Sequence, residues 1–418
     1  MGLQYACGAT HGNTQRVKEM AMNSFLPVTG DVFWIGVNDR HTTLFEELWP
    51  LPRGVSYNSY LILDEKIAVV ETVKGLAGET FLDKVRAAIP AGRAPDYLII
   101  DHMEPDHSGS IGLLREAYPQ MQIIGNQKTT VFLKDFYGIE DNLHVVEDGD
   151  ELDLGRHKLT FHLTPMVHWP ETMMTYDATD RILFSGDAFG GFGALTGGIF
   201  DDEVDIAYFE DEILRYFSNI VGKYCSTVQK AIRKLAGVDI GIIAPTHGPV
   251  WRDNPGEIVR LYDAWSSHEA EEGVVMVYGS MYGNTEKMME SVANGLSEQD
   301  LSRVRIHSVS CTHLSYLIRD AWRFKGLILG APTYDMGLFP PMDQFISILE
   351  RKKLRKRVLG LFGSYGWSGG GVKTLTRFAE NGDWDLVDPI VEAKCSPTPA
   401  DLDQCRELGR NLVRRIKS

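Results

Sequence analysis

Seven consecutive residues, Asp101-His102-Met103-Glu104-Pro105-Asp106-His107, follow directly on an apolar run at residues 97–100. A short apolar run of this kind reads as a buried strand, so the polar segment begins at a strand end. In extended backbone successive side chains alternate, which predicts His102, Glu104 and Asp106 on one face, with His107 joining them at the turn. Imidazoles and carboxylates gathered at one strand end require partners from other strand ends of the same sheet, and three are present. His168 closes the run that starts at residue 159, Asp187 follows residues 182–184, and His247 follows residues 240–244. Four imidazoles and three carboxylates are enough for two metal ions bridged by one carboxylate.

The organisation around these residues is α/β. At 418 residues the chain is long enough for two or three domains. Strand-like runs dominate residues 32–71, after which short apolar runs alternate with helical stretches. Near His268 the sequence turns to a charged stretch ending in Gly273, and this predicts a boundary between a first domain, 1–268, and a second, 273–418. The second keeps a regular rhythm: strands at 274–278, 304–309, 326–330 and 358–362 alternate with helices at 285–298, 313–320, 341–351 and 370–381, before a last helix at 401–416. That is the pattern of an open, doubly wound parallel sheet.

Three loops fall at carboxyl ends of those strands, where such sheets bind ligands. The first is Ser280-Met281-Tyr282-Gly283-Asn284-Thr285, whose hydroxyls and free helix N–H groups suit a phosphate. It lacks the Gly-Lys-Ser/Thr of a nucleoside triphosphate loop. The second, Pro332-Thr333-Tyr334 with Gly337, and the third, Ser364-Tyr365-Gly366-Trp367 with Gly369 and Gly370, offer glycines for close approach and flat rings for stacking. Together the three resemble the phosphate loop and the two ring-binding loops of flavodoxin. A second Gly-Asn-Thr, at Gly12-Asn13-Thr14, follows no strand and reads as chance.

Charge and cysteine usage narrow the alternatives. Forty-two basic against 57 acidic residues give a net charge of −15, which disfavours nucleic acid and anionic membrane surfaces. No apolar run approaches the roughly 18 residues of a membrane helix, and a cytoplasmic location is expected. The five cysteines are scattered, with no C-x-x-C pair, as expected of incidental thiols in a reducing compartment. A basic run, Arg351-Lys352-Lys353-Leu354-Arg355-Lys356-Arg357, reads as a solvated stretch complementing a helix C-terminus.

His102-x-Glu104-x-Asp106-His107 with His168, Asp187 and His247 resembles the metallo-β-lactamase superfamily, with Glu104 where the usual motif has histidine. A carboxylate there makes the ligand set harder and more anionic, which favours iron over zinc. Combined with the flavodoxin-like half, nearly the whole chain after about residue 25 resembles the flavodiiron proteins, or A-type flavoproteins. The resemblance implies a metallo-β-lactamase-like αββα sandwich followed by a flavodoxin-like doubly wound sheet. It implies one iron on His102, Glu104, His168 and Asp187 and a second on Asp106, His107, Asp187 and His247, with FMN bound by the three loops. It further implies reduction of O2 to water, NO to N2O, or both, in a head-to-tail homodimer or a dimer of dimers. No paired cysteines follow residue 371, so a separate donor such as rubredoxin or a flavin-linked reductase is expected. The competing reading is a dizinc hydrolase of the lactamase superfamily carrying an accessory flavodoxin-like domain.

Overall fold

The computed structural model describes residues 25–418. Gly12-Asn13-Thr14 and Cys7 lie outside them. Contacts divide the chain into two compact units: residues up to Ile213 with Lys230–Val259, and Leu214–Gln229 with Arg260–Ser418.

The first unit is built on two sheets. One has seven strands in the order Leu26–Pro27, Val32–Trp34, Tyr60–Ile62, Ala68–Val70, Tyr97–Ile99, Gln122–Gly125 and Leu143–Val145. The other has five: Glu151–Asp153, Lys158–Leu163, Met173–Asp177, Ile182–Phe184 and Ile242–Ala244. Val32, Leu61, Ile62, Val69, Ile99, Leu159, Phe161, Leu183 and Ile243 are fully buried between and around the sheets. Tyr60 of the first sheet packs on Phe184 of the second, ring centres 5.2 Å apart. Two sets of parallel neighbours matter most for function. Tyr97–Ile99 lies between parallel neighbours, and Ile182–Phe184 runs parallel to Ile242–Ala244. Their carboxyl ends therefore deliver residues 101–107, 187 and 247.

The second unit contains a sheet in the order Val304–Ser308, Glu271–Tyr278, Phe324–Tyr334, Arg357–Tyr365 and Trp384–Leu386, with all these neighbours parallel. Val391–Lys394 pairs with the far half of Arg357–Tyr365, so the fifth position is shared by two short strands. Counted along the chain this is the 2-1-3-4-5 order of doubly wound folds of the flavodoxin type. The alternation of strands and helices is as the sequence predicts. The short strands at Trp384–Leu386 and Val391–Lys394 are additional, because three and four residues of mixed polarity leave no periodic signal. The core holds Val274, Met276, Met288, Val292, Ile328, Phe362, Leu408 and Leu412.

The basic run at 351–357 is solvated at Arg351, Lys353, Arg355 and Lys356, as expected, and departs from that at two positions. Lys352 is 8% exposed and Arg357 0%. Arg357 Nε and Nη2 donate to the carbonyls of Ala321 and Trp322 at 3.0 and 2.6 Å, at the end of helix Leu314–Arg323. Its Nη1 donates to the carbonyl of His268 at 2.8 Å. The guanidinium thus does complement a helix C-terminus, from inside the protein and on a helix distant in sequence. Among the described residues Cys225 and Cys405 are buried, Cys311 and Cys395 are exposed, and all four are free thiols. No helix of the described residues is long and apolar enough to cross a membrane.

Candidate dimetal and flavin sites

The strand Tyr97–Ile99 gives way to a bend at Asp101 and irregular backbone up to Glu104, where Pro105 opens a short helix, Pro105–Ser108. Proline at the first helical position suits a helix start. The alternation expected over residues 102–106 therefore stops at Glu104. Asp106 and His107 reach the site from helical backbone instead, which places them beside a different set of neighbours. His168 is held by a tight turn in which Thr172 Oγ1 donates to the carbonyls of Thr164 and Trp169 at 2.7 and 2.9 Å. Asp187 follows Gly186, whose φ of +56° is one that a side chain would strain. Thr246 Oγ1 donates to Asp187 Oδ1 at 2.6 Å. His247 Nδ1 lies 2.7 Å from the carbonyl of Ser56, an arrangement that leaves Nε2 to face the site.

These elements bring all seven expected donors together. His102, Glu104, His168 and Asp187 form one group and Asp106, His107 and His247 another, with ligand atoms inside each within 4.8 Å of one another. His168 Nε2 stands 3.1 Å from Glu104 and 3.0 Å from Asp187 Oδ2. From the other group, His107 Nε2 stands 2.8 Å and His247 Nε2 3.6 Å from Asp187 Oδ1. One carboxylate therefore turns one oxygen to each group, as a bridge requires. Asp106 Oδ1 and Oδ2 are buried without a hydrogen-bond partner, which is what a ligand set for a cation looks like.

The electrostatics agree. Burial alone would depress His102, but the carboxylates of Glu104 and Glu171, which accept its hydrogen bonds, and the charge of Asp187 hold it well above its ordinary value. His168 is carried up to about 9 against the same burial by Asp187 and Glu104. Burial would raise Asp187, yet His107, His168 and His102 hold it well below the carboxylate range. Protons and metal ions compete for the same Nε2 atoms, and the carboxylates supply negative charge for either.

Two groups of neighbours have no counterpart in the sequence reading. Glu46, exposed on its outer side, lies beside Glu104 and is pushed upward by desolvation there and by the charge of Glu104. Trp49 Nε1 donates to it at 3.0 Å. Nothing local marks Glu46, which lies some way upstream of the donor run. Behind the ligands stand Glu71, which accepts the N–H groups of Asp101 and His102, and Glu171, 2.9 Å from His102 Nδ1. Phe45 and Tyr57 pack edge-on against His247, giving that side of the site an apolar wall.

In the second unit a cleft of about 320 Å³ opens at the carboxyl end of the sheet. Of the expected residues, Ser280, Met281, Tyr282, Asn284, Thr285, Pro332, Thr333, Tyr334, Ser364, Tyr365, Gly366 and Trp367 line it. Asp335 and Cys395 line it as well and were not expected. Gly283, Gly337, Gly369 and Gly370 do not. Gly370 is instead required by packing, since a Cβ there would meet the Met336 carbonyl at 2.0 Å. Ser280 Oγ accepts the N–H groups of Gly283 and Glu286 at 3.1 and 3.3 Å, and Thr285 and Ser364 hydroxyls meet at 2.9 Å. These hydroxyls and the start of helix Asn284–Ser297 form a cradle for an uncompensated anion such as a phosphate. Tyr282 and Trp367 are 89% and 88% exposed, so both rings are free to stack on a flat ligand.

An ODP family beta lactamase model matches residues 55–248 and a flavodoxin model matches residues 276–409. The chain is 31% identical to a nitric oxide reductase of Moorella thermoacetica over 94% of this chain and all of that one. The chain belongs to the flavodiiron family. Another relative of this flavodiiron protein is the anaerobic nitric oxide reductase flavorubredoxin of Escherichia coli, 33% identical over 93% of this chain and 82% of that one. Among solved structures, the rubredoxin oxygen:oxidoreductase of Desulfovibrio gigas superposes with a TM-score of 0.89 at 29% identity, covering 94% of this chain and 98% of that one. The flavodiiron protein of Giardia intestinalis gives 0.89 at 27%, covering 94% and 97%. As a flavodiiron protein the chain is an oxidoreductase that uses FMN and a diiron centre, and the donor set and cleft fit both.

Proposed function

We propose that this flavodiiron protein reduces O2 to water, NO to N2O, or both, with the metal-binding function in residues 1–268 and the flavin-binding function in 273–418. His102, Glu104, His168 and Asp187 hold one iron, and Asp106, His107, Asp187 and His247 hold the other. The observation that carries this reading is Asp187, with one oxygen 3.0 Å from His168 and the other 2.8 Å from His107. Two ferrous ions and a reduced flavin supply four electrons, the number that converts O2 to two waters, whereas joining two NO molecules into N2O and water takes two. Asp187 holds the two positions close enough for one small substrate to meet both. Phe45 and Tyr57 shield the His247 side from bulk water, and Glu46 places a carboxyl beside Glu104.

Ser280, Thr285 and Ser364 hold the FMN phosphate, and Tyr334 and Trp367 flank its ring. Electrons arrive from a separate donor, rubredoxin or a flavin-linked reductase, and the protein works in the cytoplasm as a head-to-tail homodimer or a dimer of dimers. The name of the Desulfovibrio gigas relative, rubredoxin oxygen:oxidoreductase, supports rubredoxin as a donor. The test is metal and flavin analysis of the purified protein with O2 and NO consumption under a reductant. Two irons and one FMN per chain with consumption of either gas is expected. Zinc in place of iron, with no consumption, would overturn the reading in favour of a hydrolase.

A further inference from the structure

The two groups of donors are matched in kind: each offers two imidazoles and one carboxylate of its own, and Asp187 lies between them. What differs is the surroundings of the imidazoles. His102 Nδ1 lies 2.9 Å from Glu171 Oε1, with both side chains 0% exposed. His247 Nδ1 meets the neutral carbonyl of Ser56, and His107 Nδ1 is buried with no hydrogen-bond partner. His102 Nε2 faces Glu104 and Asp187, so in a metal-ligating imidazole Nδ1 carries the proton and donates it to Glu171.

Glu171 is held in place at its carboxyl and at its backbone. Its Oε1 also accepts the Met103 N–H at 3.0 Å, and its Oε2 has no hydrogen-bond partner among the described residues. Asn126 fixes residue 171 from behind by donating its amide to the Glu171 carbonyl. The other buried carboxylates nearby do not reach an imidazole in this way. Glu71 binds backbone N–H groups, and Asp101 accepts from Thr175 Oγ1 at 2.7 Å. Glu46 lies beside Glu104, not behind an imidazole.

A carboxylate behind a ligating histidine raises the basicity of that ligand, and a stronger donor favours the higher charge of the metal. We propose that Glu171 is a positioning residue that makes the two metal positions electronically unequal. Through His102 it strengthens donation at the position of His102, Glu104 and His168, so a half-reduced pair keeps its ferric ion there and its ferrous ion on Asp106, His107 and His247. This rests on the ligand assignment made above.

The test compares wild-type protein, E171Q and E171D, each with FMN and loaded with 57Fe, by Mössbauer spectroscopy of the half-reduced state at one fixed pH. E171Q keeps an acceptor for Nδ1–H but loses the charge. It is expected to retain two irons per chain, to alter the ferric component and to leave the ferrous one unchanged. If the preference of that position for ferric over ferrous iron falls about tenfold, the low end for such outer partners, its one-electron potential rises by about 59 mV. E171D retains the charge and is expected to stay closer to wild type. A change confined to the ferrous component, no change in either, or E171D matching E171Q would overturn the role of Glu171 and leave the ligand assignment standing. Wild-type protein with fewer than two irons per chain would overturn both.

Discussion

His268 gives a pH dependence whose sign and size follow from its surroundings. The residue is 6% exposed, its Nδ1 has no hydrogen-bond partner, and its ring lies 5.6 Å from that of Trp322. Burial, then the charges of Arg357, Arg355 and Lys356, push its pKa down to about 4 from 6.5. Between those values the unfolded chain binds a proton that the folded chain refuses. Stability from this residue is therefore complete above pH 6.5 and is lost as the pH falls towards 4. At about 1.36 kcal/mol per pH unit the interval is worth about 3 kcal/mol, and screening of the exposed Arg355 and Lys356 trims it to about 2–3 kcal/mol. His268→Asn removes the titration while tolerating the φ of +60° and leaving the main-chain carbonyl that Arg357 uses. Urea unfolding of the full-length wild type and H268N at a series of pH values isolates the effect, because every other titrating group is shared. The variant should gain about 2–3 kcal/mol relative to wild type as the pH falls across this interval. A difference that stays constant would refute the buried neutral imidazole.

Further outcomes follow from the same geometry. Asp187→Asn removes charge shared by both metal positions and should weaken iron binding at least about 100-fold while leaving FMN content unchanged; normal iron by metal analysis would refute the bridge. Thr285→Val should weaken FMN by about 10- to 150-fold, the 1.5–3 kcal/mol of a hydrogen bond to a charged group, read by fluorescence titration of the flavin-free protein. Arg357→Met leaves the carbonyls of Ala321, Trp322 and His268 without this donor. It should cost about 3–5 kcal/mol at about 1–3 kcal/mol per unsatisfied group, and Arg357→Lys should recover only part of it; a wild-type urea midpoint for R357M would contradict the account.

The residue pattern by itself determined the α/β class, the regular alternation of the second unit, the seven candidate metal donors and most of the cleft residues. Each sits directly after an apolar run, and a strand that ends in a polar residue delivers that residue to the edge of its sheet. Period and strand-end position are local properties, so they survive in the sequence. The failures have the opposite character. Pro105 breaks the extended alternation because a helix start is compatible with the same residues, and only the packed site shows which backbone delivers Asp106 and His107. Glu171 stands three residues after His168, but its use depends on His102, 69 residues away. Arg357 sits in a run of charge that reads as solvated, yet it is buried because helix Leu314–Arg323 ends where its guanidinium can satisfy the last carbonyls. Glu46 and Cys395 join their sites only through the folding of distant segments. Whether a polar group is a solvated surface charge, a structural clamp or part of a reactive site is set by what desolvates it and what pairs with it. That is decided by the tertiary structure, because both partners come from elsewhere in the chain.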